Sequence, residues 1–136
     1  MKRPYRNYLS DLVVELSFAL LTECLLEVFY IFGELKVVIL EVAVLKIKPG
    51  LTREFEVAFK QASVIIASMP GYIDHDLQKC IEVDNQYLLL VRWQTLENHT
   101  IGFRQSNQYQ TWKELLHHFY DPFPTVEHYQ TVIDRS

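Results

Sequence analysis

The apolar residues between positions 37 and 133 change period four times, and that alternation constrains the fold more than any single motif. Residues 37–48 (VVILEVAVLKIK) are rich in β-branched side chains and stop at Pro49-Gly50, which reads as a strand. Over 52–69 the period becomes helical: Phe55, Phe59, Ala62, Ile66 and Met69 share one face, Glu54 and Glu56 occupy the first turns, and Pro70-Gly71 ends the run. Residues 72–82 return to alternation, with Ile73, His75, Leu77, Lys79 and Ile81 on one face and Asp84-Asn85 as the turn. The near-continuous apolar run Tyr87 to Trp93 suits a strand covered on both faces. Thr95 can cap a helix over 96–105. A second helical piece over 107–120 aligns Tyr109, Trp112, Leu116 and Phe119, and Asp121-Pro122-Phe123-Pro124 stops it before a last strand over 125–133.

Two strand–helix–strand halves joined by a tight hairpin predict an α+β fold, a ferredoxin-like βαββαβ antiparallel sheet with its helices on one face. The halves share an order of elements but little sequence. The uncovered sheet face carries apolar residues, so a second copy of the chain is expected there and the protein is expected to be a homodimer.

Residues 1–36 stand apart as an N-terminal helical extension before a domain over 37–136. Lys2, Arg3 and Arg6 imitate the start of a signal peptide, but Asp11, Glu15, Glu23 and Glu27 interrupt the apolar run over 12–32 with a polar stripe at helical spacing. A spanning helix or a signal peptide has no such acids. The segment reads as an amphipathic helix from Ser10 as N-cap to Gly33 as C-cap, packing on protein, and its acidic stripe argues against anionic membranes. A chain of 136 residues with net charge −4 suits one domain and offers no clustered Lys and Arg for nucleic acid. Cys24 and Cys80 form no CxxC pair and read as two small buried thiols in a reducing cytoplasm.

Several pieces, in order and spacing, resemble the antibiotic biosynthesis monooxygenase domain family of dimeric α/β-barrel proteins. They are Lys48-Pro49-Gly50, Phe55 and Phe59, Pro70-Gly71-Tyr72, the run Tyr87 to Trp93, Leu96-Glu97-Asn98-His99, Gly102-Phe103-Arg104-Gln105-Ser106, Trp112, and Pro124-Thr125-Val126-Glu127-His128-Tyr129. The resemblance spans positions 40–133 and excludes the N-terminal helix. It implies a cofactor-independent oxygenase, without metal, flavin or haem, in which a phenol or quinol loses a proton and the electron-rich anion reduces O2 directly. The haem-degrading branch of the family carries a Trp three residues before the Ser in this region and a haem-ligating His seven after it. Counted from Ser106, those positions hold Phe103 and Lys113, so no imidazole is offered to iron.

Such chemistry needs a dry pocket, a base and donors for an oxyanion. His99 is the candidate base, inward in register with Leu96 and Phe103 and neutral beside a positive helix end; the same position suits a core histidine bonded to a backbone carbonyl. Trp93 is the second catalytic candidate, since its indole N–H could hold a substrate oxygen, though it could equally anchor the strand–helix corner. Tyr109 and Trp112 form a stripe at helical spacing that suits the core and equally an aromatic substrate pocket, where they are expected with Phe103, and with His128 and His75 as further contacts. Arg92, on the opposite face from Trp93, reads as a salt-bridge partner. No metal site is expected, because His117-His118 lacks further ligands at compatible spacing. A non-catalytic dimer of the same fold, serving binding or stress response, is the competing reading. A pocket joining His99 to Trp93, a Tyr and an Asn or Arg would favour chemistry; apolar walls around His99 alone would favour binding.

Overall fold

The computed structural model describes residues 20–23 and 37–134. The chain divides into two units, Met1–Lys36 and Val37–Ser136. Residues 20–23 are helical; the rest of the expected N-terminal helix, with its caps and Cys24, lies outside the described residues. No helix among the described residues is long and apolar enough to cross a membrane.

The second unit follows the expected order. Strand β1 (Ile39–Lys46) leads to helix α1 (Thr52–Ala67), then β2 (Tyr72–Lys79) and β3 (Gln86–Trp93). A π-helical turn (Asn98–Phe103), helix α2 (Asn107–Leu116), a 3-10 turn (His117–Phe119) and β4 (Val126–Gln130) complete it. The sheet order is β2-β3-β1-β4 with every pairing antiparallel, which is the ferredoxin-like α+β arrangement. Asn85, at positive φ, makes the hairpin between the halves.

One face of the sheet and the two α-helices enclose the core. Ala43, Leu45, Tyr87, Leu89, Val91 and Trp93 point inward from the central strands, and Phe55, Phe59, Ala62 and Ile66 meet them from α1. The helical period of α1 thus delivers its four apolar contacts where the strand period delivers alternate residues. Ser106 caps α2, its hydroxyl accepting from the Tyr109 N–H at 3.1 Å, and Trp112 and Leu116 are buried behind it. The opposite sheet face carries Val42, Val44, Leu88 and Leu90 beside the polar side chains of β2 and β4.

Three expectations are corrected. A bulge between Tyr72 and Asp74 removes Ile73 from the inward face, leaving Tyr72, His75 and Leu77 there; β2 ends at Lys79, so Ile81 is exposed. The helix expected over 96–105 is a π-helical turn, closed by Arg104 N–H to the His99 carbonyl at 3.0 Å. Cys80 is half-buried rather than buried, with its thiol toward Glu82.

Phe55 packs edge-on against Tyr87, Phe119 and Tyr120 and is fully buried. Phe55→Ala is expected to cost about 3–5 kcal/mol in urea unfolding. Exposed Val57→Ala on the same helix should stay within about 0.5 kcal/mol.

Candidate active site

The two-residue period of β1 that buries Ala43 and Leu45 also carries Glu41 inward. Glu41 is 5% exposed and lies opposite Val91 on β3 and His128 on β4. A carboxyl group there costs several kcal/mol unless polar groups meet it. Two do. The Trp93 Nε1–H donates to Glu41 Oε2 at 2.8 Å, and His99 Nε2 stands 3.4 Å from Oε1. On its other side His99 Nδ1 lies 2.7 Å from His128 Nε2. Glu41, His99 and His128 therefore form a chain from the core to the edge of the sheet.

The π-helical turn holds His99 over the sheet. Thr95 Oγ1 accepts from the Asn98 N–H at 3.2 Å and starts the turn. Gly71, at positive φ, lets the Asn98 amide lie against its backbone, where any Cβ would collide with it. The His99 ring then stacks on Trp93, centroids 5.5 Å apart, with Phe103 beyond.

Burial dominates the electrostatics. It pushes the Glu41 carboxyl up to about 7, against the opposing pulls of the Trp93 N–H and the Arg104 guanidinium. It pushes His99 down to about 3, helped by His128 and Arg104. The expected cause, a positive helix end, is thus replaced by loss of solvent. His128 is lowered by burial and then by Arg104, and His117 by burial, then Lys113 and Arg104. With both imidazoles neutral at neutral pH, the His99–Glu41 contact is no ion pair.

Two cavities meet at this chain. The inner one has room for about 40 Å³ of water and is walled by Glu41, His99, Phe103, Tyr109, Trp112, His117 and Tyr120 among others. The outer cleft offers about 300 Å³ and is lined by His99, Thr100, Arg104, Phe123, Pro124, Val126 and His128. Arg104 borders both, its guanidinium over the Tyr109 ring at 5.0 Å.

The structure brings His99, His128, Phe103, Tyr109 and Trp112 to these cavities. Trp93 is 0% exposed, lines neither, and gives its N–H to Glu41 instead of a ligand. His75 lies elsewhere, against Tyr72 and Phe59. Arg92 pairs with Asp74 at 2.6 Å on the open face. Glu41, Arg104, His117 and Tyr120 are additions. The sequence shows Glu41 only as a single acid at an inward position of an apolar strand, with its partners Trp93 and His99 far along the chain. Among the described residues no group of three or more His, Cys, Asp or Glu is placed to hold a metal ion.

The family model for antibiotic biosynthesis monooxygenase matches residues 38–115. The chain belongs to this family. It is 63% identical over 92 residues to the uncharacterised protein YczJ of Bacillus subtilis strain 168, a match covering 68% of this chain and 97% of YczJ. It is similar to a Bordetella bronchiseptica structure provisionally described as an antibiotic biosynthesis monooxygenase, at 33% identity and TM-score 0.69, covering 71% of this chain and 99% of the other. SnoaB of Streptomyces nogalater, a cofactor-independent oxygenase, shares the fold at 20% identity and TM-score 0.55, covering 74% of this chain and 96% of SnoaB.

Unfolded, Glu41 titrates near 4.5; folded, near 7. The folded chain therefore holds this proton more tightly, and the stability it brings is full below pH 4.5 and lost as the pH rises to about 7. Glu41→Gln removes that loss. Relative to wild type the variant should gain about 3 kcal/mol across this window in urea unfolding. His99 has the opposite sense, losing stability as the pH falls below 6.5 toward about 3, and is common to both proteins. A difference independent of pH would rule out a carboxyl group raised by burial.

Proposed function

We propose that this chain is a cofactor-independent monooxygenase that oxidises a small phenolic or quinol-type aromatic compound with O2 in a reducing cytoplasm. The observation that carries the reading is the Glu41–His99–His128 chain opening onto a cleft of about 300 Å³. A cleft of that size suits a small ring compound, and the inner cavity of about 40 Å³ suits a diatomic molecule or one or two waters. The substrate ring lies in the cleft between Phe123, Pro124 and Val126, with its hydroxyl toward the neutral imidazoles. Loss of that proton leaves an anion near Arg104, whose positive charge stabilises it. The electrons for O2 come from this anion: a quinol and O2 yield a hydroxyquinone and water, and an activated methylene and O2 yield a carbonyl and water. No prosthetic group enters either balance. Phe103 and Lys113, where the haem-degrading branch has Trp and His, point the same way.

Tyr109 and Arg104 beside His99 support chemistry over plain binding. One observation favours the non-catalytic reading: Trp93 offers nothing to a ligand, because Glu41 takes its N–H. Oxygen uptake across a panel of quinols and anthrone-like phenols separates the two. Turnover of at least one compound is expected, falling about 10²-fold or more in His99→Ala. Tight binding of the panel without oxygen uptake would leave the binding module standing.

The chain also acts as a homodimer closed through the open sheet face. Val44 is 44% exposed there, Leu88 and Leu90 are half-buried, and a cavity of about 350 Å³ lies between Val42, Val44 and the 122–125 loop. Light scattering at micromolar concentration should give a dimer, its interface above about 1,000 Å². Val44→Lys should shift it toward monomer. A monomeric wild type contradicts this assembly.

A further inference from the structure

We propose that Glu41, His99 and His128 form a reversible proton wire, in which His128 Nδ1 exchanges protons with the cleft and the buried Glu41 carboxyl stores them. The proposal deepens the base assigned above and rests on that reading only for its use in turnover. Three features carry it. The ring nitrogens of His99 and His128 meet at 2.7 Å, so one donates and the other accepts. His99 Nε2 faces Glu41 Oε1 at 3.4 Å, a few tenths of an ångström beyond hydrogen-bond length. His128 Nδ1 has no hydrogen-bond partner among the described residues, and the side chain borders the outer cleft.

With both rings neutral and their contact kept, the ring protons have two arrangements, and each is matched to one state of Glu41. When Glu41 is ionised, His99 carries its proton on Nε2 and donates to the carboxylate. Its bare Nδ1 then accepts from His128 Nε2–H, and His128 Nδ1 presents a lone pair to the cleft as a base. When Glu41 is protonated, the carboxyl O–H donates to His99 Nε2. Then His99 Nδ1–H donates to His128 Nε2, and His128 Nδ1–H faces the cleft as an acid. A proton taken up at His128 Nδ1 moves Nε2–H to His99 Nδ1, and His99 Nε2–H to Glu41. One proton leaves the ligand, one reaches the carboxyl, and neither ring is left as imidazolium. Burial makes that outcome the favourable one, since His99 resists charge while Glu41 tolerates a proton near neutral pH.

The surroundings bias the balance. From the sheet, the Trp93 N–H donates to Glu41 and favours its ionised form. From the end of the π-helical turn, Arg104 acts in the same sense on Glu41 and opposes protonation of His99, His128 and His117. Tyr109 on α2, His117 in the 3-10 turn and Tyr120 after it complete the ring of titratable groups, and Tyr120 is held un-ionised by burial, then Tyr109 and Glu41. Arg104 therefore holds the wire toward its base state until a proton arrives from the cleft.

The wire titrates as a unit, and histidine ring tautomers report it without any substrate. In the full chain with 15N-labelled histidine, NMR between pH 5 and 9 should show His99 and His128 changing together from Nε2–H to Nδ1–H as the pH falls through one midpoint near neutrality. Neither should become imidazolium at that midpoint. In Glu41→Gln the amide oxygen must face the Trp93 N–H, so its NH2 faces His99 Nε2. Both rings should then stay locked as Nδ1–H throughout. Independent titration of His128 as an ordinary imidazolium, or an E41Q protein that titrates like wild type, overturns the wire. Should E41Q fail to fold, the wild-type titration decides alone. Absent oxygen uptake with coupled tautomers removes the oxygenase reading and leaves the wire; uptake without coupled tautomers does the reverse.

Discussion

The site depends on one carboxyl group that the strand period forces into the core. Glu41 cannot face solvent without carrying Ala43 and Leu45 out with it. Its burial penalty has to be offset by groups arriving from elsewhere, and they come from different elements. β3 supplies the Trp93 N–H, the π-helical turn supplies His99, and β4 places His128 directly opposite. Removing any one leaves a buried polar atom without its partner, which is why the arrangement is all-or-none. The core around it is built to keep water away: Phe103, Trp112 and Leu116 are buried beneath the second helix.

Backbone irregularity does what side-chain choice alone could not. A regular α-helix after Trp93 would present successive turns with i→i−4 bonds; here Arg104 N–H reaches back five residues to the His99 carbonyl. His99 and Phe103, at i and i+4, share the buried side of the turn while Thr100, Ile101 and Gly102 face out. The Thr100 hydroxyl, bonded to the Leu96 carbonyl at 3.1 Å, occupies an acceptor that a tighter helix would need. Gly71 allows the start of the turn to sit tight against the β2 end. Position and chemistry are therefore coupled: the group that needs placing most exactly rests on the least regular segment.

Element order was legible because most segments keep one period over several residues and end near Pro, Gly, Asp or Asn. Edges were less so. β4 closes at Gln130, which pairs with Ile39 at the start of β1, and Val132 and Ile133 beyond it stand exposed. Period counting assumes unbroken pairing, so the extra residue between Tyr72 and Asp74 misassigned Ile73. In the site, helical spacing located His99, Phe103, Tyr109 and Trp112. It could not locate Glu41, because an acid in an apolar strand gains meaning only when its partners, 52 and 58 positions later, are known to converge. Trp93 illustrates the converse. Its identity suggested a donor, correctly, but sequence could not say that the acceptor was internal.

In the proposed reading, the two faces of the sheet divide assembly from chemistry. On the open face, Arg92 is ion-paired at the surface with two acids, Asp74 and Asp76. On the helix-covered face, Arg104 has no carboxylate within ion-pair distance among the described residues, and its charge acts on the buried Glu41. The guanidinium lies over the Tyr109 ring beside neutral imidazoles, and its charge is opposed by Glu41 when that carboxyl is ionised and not when it is protonated. On the proposed wire, proton uptake changes two things together. It converts the cleft edge from base to acid, and it strengthens the attraction for an anion formed there. On that proposal, a substrate that gives its proton to the site removes the negative charge that would otherwise repel its conjugate base.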